Sequence, residues 1–300
     1  MYWKRSEKQN RLLDSKSNKE LSALLNLLDE PDENAFSRIE SKIYSFGQEA
    51  IPLLEKVWEN SFEGIVQERI ERIVKMIQQN ALQFEFSNWI NLGSSDLLKG
   101  FILISRTQYP DLEEEKIISR IDQMKRDAWL ELNDNLTALE NVKVLNHIIY
   151  DLHNFEGNKI NIHAPQNSYI NTLLETRKGN PLSLGMLYMI IAQKLNVPVY
   201  GVNLPQHFIL AYTTEMVKPY PDENDVLFYI NPFNKGAVFT RREIELFIRQ
   251  LKIKPEAYYF SPCTNVDIIK RLIHNLKYSY DQSGSTDKIE ELDNLLKLTE

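Results

Sequence analysis

Apolar side chains recur every three or four residues through the first half of the chain, which is the spacing of one buried face of an α-helix. Residues 1–18 lack this pattern and predict a polar, irregular lead. The stretches Asp29–Asp32 and Tyr109–Asp111 contain proline and aspartate and interrupt the pattern. Before, between and after these breaks the apolar stripes fall at Leu21, Leu24, Leu25 and Leu28, at Phe36, Ile39, Ile43 and Phe46, at Ile70, Ile73, Val74 and Ile77, at Leu97, Leu98, Phe101, Ile102 and Ile104, at Ile117, Ile118, Ile121, Met124 and Trp129, and at Val142, Leu145, Ile148, Ile149 and Leu152. The pattern predicts a series of short helices over residues 20–154.

Residues 20–80 combine an acidic, proline-containing turn with a distinctive helix start. The start is Gly47-x-x-Ala50-Ile51-Pro52-Leu53-Leu54, in which Pro52 lies in the first helical turn, where its missing N–H costs little. Short paired helices of this kind resemble HEAT-type repeats. An ordinary helical cap on the following domain explains the same pattern, and no strict repeat period extends further along the chain.

The pattern changes from helical to mixed after residue 154. Residues 154–169 are polar, rich in asparagine and punctuated by glycine, which predicts a long ordered loop of the kind that is usually functional. β-Branched and aromatic segments then predict strands between helical stripes. The predicted helices are Ile170–Thr176, Pro181–Leu195 and Arg241–Gln250, the last behind a Thr240/Glu243 capping box, and the predicted strands are Val197–Val202, Phe208–Thr213 and Val226–Ile230, with a solvated connection at Thr214–Asn224. Together they predict a small antiparallel sheet beside helices.

The C-terminal 35 residues predict a helical hairpin. Two amphipathic helices flank the turn Gln282–Ser285, with apolar residues facing each other across it. The hairpin resembles a single tetratricopeptide unit, which is too small to bury a core of its own. We therefore expect it to pack on the preceding domain.

Composition limits the possible classes of function. The chain has 300 residues, 43% hydrophobic and 26% charged, which predicts a packed core rather than disorder. A formal net charge of −7 disfavours a nucleic-acid surface, because such binding depends on lysine and arginine contacts to phosphates. The single cysteine, Cys263, suits a reducing compartment. The polar N-terminus has no signal-peptide pattern, and no uncharged apolar run reaches about 18 residues, so we expect a cytoplasmic protein that does not bind a membrane.

The helix that starts at Pro181 carries the layout of a nucleophilic active site. Asn180 is suited to cap this helix, and Pro181 takes its first position. A cysteine at such a helix start has a lowered pKa and is a good nucleophile. The next predicted strand begins beside His207 and the following one ends beside Asn231, which are the places of a base and of a group that orients it. Two members of a triad are therefore in plausible places, while the stretch Asn180–Ser183, where the nucleophile would stand, contains no cysteine.

Five short motifs follow one another along residues 155–233. They are Phe155-x-Gly157-Asn158, Pro165-x-Asn167-Ser168-Tyr169, Arg177-Lys178-Gly179-Asn180-Pro181-Leu182-Ser183-Leu184, Pro205-x-His207-Phe208 and Ile230-Asn231-Pro232-Phe233. As an ordered set they resemble the SirB-type family of bacterial transglutaminase-like proteins, which has an F-box relative in animals. The resemblance covers about residues 90–260 and implies a transglutaminase-like, papain-like core followed by tetratricopeptide-like helices. It also implies a cysteine and an aspartate where this chain has Pro181 and Asn231.

Three other side chains near this layout are candidates for chemistry, and each has a structural alternative. Ser183 is the nearest hydroxyl in the helix and is either an unconventional nucleophile or an ordinary helix serine. His207 is either a base or ligand-binding group in a cleft or a structural histidine near Asn231. Cys263 is far along the chain and is more typical of a small buried residue than of a nucleophile.

The asparagines of the polar loop are a second group of candidates. Asn158, Asn167 and Asn171 either line a groove beside the helix start or fix turns by bonding to the backbone, which is the commoner role. The five histidines do not show the spacing of a zinc or iron site, and the sequence contains no Walker-type or dinucleotide-binding glycine motif. We therefore expect no metal and no cofactor.

These observations predict an α+β protein in three parts, with HEAT-like helices over residues 1–85, a transglutaminase-like core over residues 86–260 and a tetratricopeptide-like hairpin over residues 261–300. The first hypothesis is a catalytically degenerate member that binds a protein or peptide partner in regulation, since repeat surfaces commonly bind partners. The residues expected to line the binding site are Asn158, Asn167, Asn180 and Pro181. The alternative is a residual hydrolase or acyltransferase that uses His207, Asn231 and Ser183.

Overall fold

A computed structural model of the chain describes residues 18–214 and 222–300. The predicted polar lead up to residue 17 and residues 215–221 of the predicted connection lie outside the described residues. Contacts between Cα atoms group the chain into two compact units, Met1–Glu85 and Phe86–Glu300. The three-part division predicted from the sequence stays a prediction.

The first unit is helical around one apolar core. Its elements are α1 (18–25), α2 (Glu33–Tyr44), a 3₁₀ turn (Gly47–Ala50), α3 (Ile51–Asn60) and the first part of α4 (Gly64–Asn91). The predicted stripes form the core, which includes Leu21, Leu28, Phe36, Ile43, Leu54, Ile70 and Ile73. The buried Arg69 holds the α1–α2 turn by donating to the carbonyl oxygens of Leu28 and Glu30 and to the Glu33 carboxylate. The likeness to a HEAT repeat stays a prediction.

The second unit opens with helices and an ordered loop. The helices are the end of α4, α5 (Leu97–Arg106), α6 (Glu114–Glu131) and α7 (Ala138–Asn146), which continues into a π-helical turn (His147–Leu152). In the loop, β1 (Glu156–Gly157) pairs in parallel with β2 (Lys178–Gly179), and a 3₁₀ turn (Pro165–Ser168) and α8 (Ile170–Thr176) lie between them. This short pairing fixes the loop against the chain that enters the next helix.

Helix α9 (Pro181–Lys194) is the centre of the second unit. It is buried from Leu182 to Ala192, which explains why its sequence is apolar all round rather than along one stripe. A four-stranded antiparallel sheet follows, with strands β3 (Val199–Leu204), β4 (His207–Thr213), β5 (Val226–Asn231) and β6 (Ala237–Phe239) in sequence order. Gly185 allows the sheet to approach α9, because a Cβ there would lie 2.6 Å from the Phe208 ring.

The opposite face of the sheet packs on α10 (Arg241–Gln250). Ile209 and Ala211 of β4 share a buried cluster with Ile244 and Ile248 of this helix. The predicted capping pair is present, since the Thr240 backbone N–H donates to Glu243 Oε2 at 2.7 Å.

The C-terminal hairpin consists of α11 (Asn265–Ser283) and α12 (Thr286–Lys297), joined at Gly284 with a positive φ of 70°. It packs on the rest of the second unit, as expected for so small an element. Asn265 Nδ2 donates to the Ser94 carbonyl oxygen at 2.9 Å, and the hydroxyls of Tyr280 and Tyr169 lie 2.5 Å apart. The likeness to a tetratricopeptide unit stays a prediction.

The predicted α+β class with a small antiparallel sheet is confirmed. The strand predicted to begin at Val197 begins at Val199, because the Val197 N–H still bonds to the Ala192 carbonyl oxygen of α9. Strand β6 was not predicted, since three residues are too few to show an alternating pattern. Helix α4 continues to Asn91, well beyond the predicted stripe Ile70–Ile77, because buried apolar positions extend through Phe86 and Trp89.

Candidate functional site

A cleft of about 600 Å³ lies at the N-terminal end of α9. Its walls come from the start of α9, the turn between β3 and β4, the asparagine-rich loop and one face of α11. The lining includes Asn180, Pro181, His207, Phe208, Arg271 and Asn275. The structure thus brings Pro181 and His207, which the sequence assigned to one site, to the same cleft.

The start of α9 is a capping box enclosed by protein. Asn180 Oδ1 accepts a hydrogen bond from the Ser183 backbone N–H at 2.9 Å, and Ser183 Oγ accepts one from the Asn180 N–H at 3.0 Å. Asn180 Nδ2 donates to Ser168 Oγ at 2.9 Å, which ties the helix start to the preceding loop. Both Asn180 and Ser183 are buried. These contacts give the Ser183 hydroxyl a structural role, and its use as a nucleophile stays a prediction.

His207 lies at the edge of the cleft, and its ring rests against α10. The ring centroid is 4.8 Å from that of Phe247, in an edge-to-face arrangement. Because side chains alternate along a strand, His207 shares the face of Ile209, which packs on α10, whereas Phe208 faces α9. Among the described residues no hydrogen bond to the imidazole is present. The imidazole is therefore near the helix start but is not held in a triad geometry.

Burial and the nearby Arg271 guanidinium lower the pKa of His207 from its ordinary value of 6.5. Both effects act against the charged ring, since burial removes water and a cation repels a second cation. At neutral pH the ring is therefore uncharged. Folding favours the neutral form, so His207 contributes stability that is full above about pH 6.5 and is lost as the pH falls through that value towards the folded pKa.

We expect an NMR titration of the His207 ring protons to give a pKa below 6.5, and the substitution Arg271→Gln to raise it. The value should remain below 6.5 in this variant, because burial is the larger cause. The neighbouring substitution Lys270→Gln, which removes an equal charge outside the cleft, should leave it nearly unchanged. A wild-type value at or above 6.5, or no response to Arg271→Gln, would contradict this account.

Asn231 has a different partner from the one predicted. It ends β5, and its Oδ1 accepts hydrogen bonds from the backbone N–H groups of Phe233 and Asn234 at 3.0 and 3.1 Å. The side chain therefore caps the turn that follows the strand. Its role in orienting His207 stays a prediction, and within the described part of the chain no hydrogen bond joins the two side chains.

The loop asparagines form a network that holds the loop together. Asn158 Nδ2 donates to Asn167 Oδ1 at 3.0 Å, and Asn167 Nδ2 donates to the Asn161 carbonyl oxygen at 2.6 Å. The contact to the backbone is the turn-fixing role that sequence analysis names as the commoner alternative. Asn158 and Asn167 thus support the cleft wall through the loop, and their role in binding a partner stays a prediction.

Cys263 is partly buried and lies beside β3, where its backbone N–H donates to the Gly201 carbonyl oxygen at 2.8 Å. Burial, with a contribution from Asp267, raises the pKa of the thiol to about 12. A thiol with this pKa is protonated at neutral pH and is a poor nucleophile. This pKa favours a structural role for Cys263 over a nucleophilic one.

Arg271 is one of the cleft residues that sequence analysis did not indicate. It lies on α11, more than sixty residues from the strand turn that it contacts, and donates from Nη1 to the Leu204 carbonyl oxygen at 2.9 Å. In the sequence it is one of several charged positions on an amphipathic helix, so no local signal distinguishes it. Only the packing of the hairpin brings it into the cleft.

The described residues also bear on two other features, a metal centre and a membrane-spanning helix. No group of three or more histidine, cysteine, aspartate or glutamate side chains in residues 18–214 and 222–300 has the geometry to hold a metal ion. Over the same residues, no helix is long and apolar enough to cross a membrane.

A family description of the transglutaminase-like superfamily matches residues 115–274, which is more than half of the chain and includes most of the cleft lining. The chain belongs to the transglutaminase-like superfamily. The matched region runs from α6 into α11 and so includes Arg271. No solved structure matches the chain at comparable significance.

Relatives of this chain occur in bacteria and animals. A UPF0162 protein of Xylella fastidiosa is 25% identical over 222 residues, which are 70% of this chain and 76% of that protein. A UPF0162 protein of Vibrio cholerae is 24% identical over 192 residues, 62% of this chain and 67% of that protein. Human F-box only protein 21 is 32% identical over 132 residues, 44% of this chain but only 20% of that protein. The predicted animal F-box relative is thus confirmed.

Proposed function

We propose that this protein is a non-catalytic member of the superfamily, of the SirB type, whose cleft at the start of α9 binds a peptide segment of a protein partner in the cytoplasm. The observation that carries the proposal is an open cleft beside a helix start that has no nucleophile. Pro181 has no reactive side chain. The Ser183 hydroxyl is engaged in the capping box, and the Cys263 thiol is protonated at neutral pH. In this proposal the cleft binds a ligand without catalysing a reaction.

The contacts around the cleft support a binding role over a catalytic one. The Ser183 hydroxyl is enclosed in the capping box, so a substrate in the cleft would not reach it. The His207 ring rests on Phe247, and none of the residues that the structure describes forms a hydrogen bond that would orient it, whereas a general base requires such a bond to hold its tautomer. A volume of about 600 Å³ lies within the range of sites that accept small ligands or a few peptide residues.

The catalytic half of the proposal predicts no turnover that depends on His207. We expect the purified full chain to incorporate no dansylcadaverine into casein and to hydrolyse p-nitrophenyl acetate no faster than the variant His207→Ala. Turnover that disappears in His207→Ala would contradict the proposal. An electrophilic probe that labels the wild type but neither His207→Ala nor Ser183→Ala would support the alternative hydrolase or acyltransferase.

The binding half predicts that peptides selected on the protein need the cleft. We expect heptapeptides selected from a random displayed library to bind the wild type and to lose about tenfold or more in affinity for Asn275→Trp. Asn275 lines the cleft, and its side chain makes no hydrogen bond to the described residues, so tryptophan there fills space without removing a contact.

The matched control is Gln282→Trp, an exposed position on the same helix outside the cleft lining. It should bind the selected peptides as the wild type does. Peptides that bind all three proteins equally would show that the cleft is not the binding site.

A further inference from the structure

Arg271 is a partly buried cation that faces the cleft without a carboxylate partner. Its Nη1 donates to Asn203 Oδ1 at 3.3 Å and to the Leu204 carbonyl oxygen at 2.9 Å, which fixes the guanidinium at the cleft wall. Both acceptors are neutral, and in the described part of the chain no carboxylate lies within 4.0 Å of the group. Asp267, one helical turn earlier, is bonded to the Thr264 N–H and hydroxyl instead.

The other arginines that are buried or partly buried in the described part of the chain are paired with carboxylates. Arg69 has Glu33 at 2.7 Å, and Arg106 has Glu114 at 3.6 Å. Partly buried arginines are normally paired in this way, because removing a charge from water without a counter-charge costs free energy. Burial accordingly lowers the pKa of Arg271, although an arginine keeps its charge at neutral pH. Arg271 thus differs from these arginines, since the described residues supply no counter-charge for it.

The other described residues of the cleft lining also favour a negatively charged ligand. The chain has a formal net charge of −7, yet the cleft lining contains no aspartate or glutamate among the described residues. The side chains of Asn275 and His207 also lie in the lining, and neither donates to an acceptor within the described chain. A ligand in this cleft therefore meets one fixed cation and further hydrogen-bond donors, and none of the described lining residues carries a negative charge.

The number of cations selects the class of anion. Arg271 is the only lysine or arginine in the lining contributed by the described residues, and His207 is neutral at pH 7. A single guanidinium balances one negative charge, and its planar fork matches a carboxylate. A phosphate group carries nearly two charges at neutral pH and is commonly met by several basic side chains. The cleft fits a carboxylate better than a phosphate.

We propose that the cleft binds a peptide through a carboxylate group, with Arg271 as its counter-charge. This inference rests on the proposed function, since it names the chemistry by which the peptide partner is recognised. The carboxylate belongs either to the C-terminus of the partner or to an acidic side chain. Nη2 and Nε of Arg271 have no acceptor in the described chain and are the donors available to it.

The test measures binding of four small probes to the full-length protein by backbone and arginine-side-chain NMR. The probes are N-acetyl-Ala-Ala with a free carboxylate, its C-terminal amide, N-acetyl-Glu amide and inorganic phosphate. We expect saturable shifts at Leu182, His207 and the Arg271 side chain with at least one carboxylate probe, and binding about tenfold or more weaker with the uncharged amide. The carboxylate probe that binds more tightly identifies the source, either a chain terminus or an acidic side chain.

The variants separate Arg271 from general charge and from misfolding. Arg271→Gln should weaken carboxylate binding about tenfold or more, Arg271→Lys should weaken it less because it keeps the charge, and Lys270→Gln should bind as the wild type does. If Arg271→Gln does not fold, the loss is read from Arg271→Lys and from the amide probe on the wild type. Equal binding of acid and amide, no binding of either carboxylate probe, or tighter binding of phosphate than of both carboxylates would overturn the inference.

The outcomes also separate this inference from the proposed function. Selected heptapeptides that need the cleft but bind Arg271→Gln as tightly as the wild type would refute the carboxylate and leave the peptide-binding role. Turnover dependent on His207 would refute the non-catalytic role, whatever the probes show. Each result thus bears on one proposal by itself.

Discussion

Replacing Phe208 with alanine is expected to lower the free energy of unfolding by about 3–5 kcal/mol, the usual range for removing a buried aromatic ring. Phe208 is 2% exposed and fills the space between the sheet and α9. A Cβ on either Gly185 or Gly201 would lie within 2.6 Å of the Phe208 ring, so the ring occupies space that only glycine leaves free at these two positions. The cavity left by alanine cannot close, because the backbone of α9 and the sheet are each held by other contacts. Urea unfolding followed by circular dichroism measures the change.

The control for Phe208→Ala is Leu227→Ala on β5. Leu227 is 53% exposed, so its removal should change the stability by less than about 0.5 kcal/mol. Equal effects of the two substitutions would mean that Phe208 is not the residue that joins the sheet to α9. Because Phe208 also lines the cleft, the variant should lose peptide binding together with stability.

Replacing Asn180 with alanine has the second-largest expected effect, a loss of about 2–3 kcal/mol in the free energy of unfolding. The change removes the acceptor of the Ser183 backbone N–H and the donor to Ser168 Oγ, and both of those partners are buried. When an exposed helix cap is removed, water takes its place as the hydrogen-bond acceptor of the backbone N–H. Water has little access to the buried Ser183 N–H and Ser168 hydroxyl. The cost of an unpaired buried donor is therefore added to the cost of the cap.

Thr137→Ala tests the same motif on an exposed helix. Thr137 and Glu140 form a capping box at the start of α7, with the Glu140 N–H donating to Thr137 Oγ1 at 3.3 Å. Water can replace this contact, so the expected loss is about 0.5–1 kcal/mol. Thermal unfolding of the two variants and the wild type in one buffer compares them. Similar losses at both positions would show that burial does not strengthen the cap at Asn180.

The helices that were predicted most accurately are those with strong local signals. Asn180 and Pro181 mark the start of α9, and Thr240 with Glu243 marks the start of α10, because caps and first-turn residues act on the backbone within a few positions. The loop asparagines were also assigned their commoner role from local chemistry. The missed elements lack such signals. Strand β6 has three residues, and the π-helical turn after α7 is made by side chains that are equally suited to an α-helix.

The candidate site was predicted only in part, because local signals do not show which distant residues meet. The sequence placed Pro181 and His207 at the ends of adjacent elements, and both line the cleft. It also assigned Asn231 to the imidazole, whereas the Asn231 side chain caps its own turn, a contact two and three residues away that competes with any partner across the sheet. The direction of the His207 ring depends on the packing of Phe247, which comes from a different element.

The sequence alone determined the α+β class, the helix start at Asn180 and Pro181, and the absence of a thiol at the place of the nucleophile. These are properties of composition and of contacts between residues close in the chain. Only the tertiary structure decided that α11 supplies the charge of the cleft, because Arg271 bonds to Asn203 and Leu204 across separations of 68 and 67 residues. A pattern along the chain shows which face of α11 is buried. It does not show which strand turn that face meets, since that depends on how all the intervening elements pack.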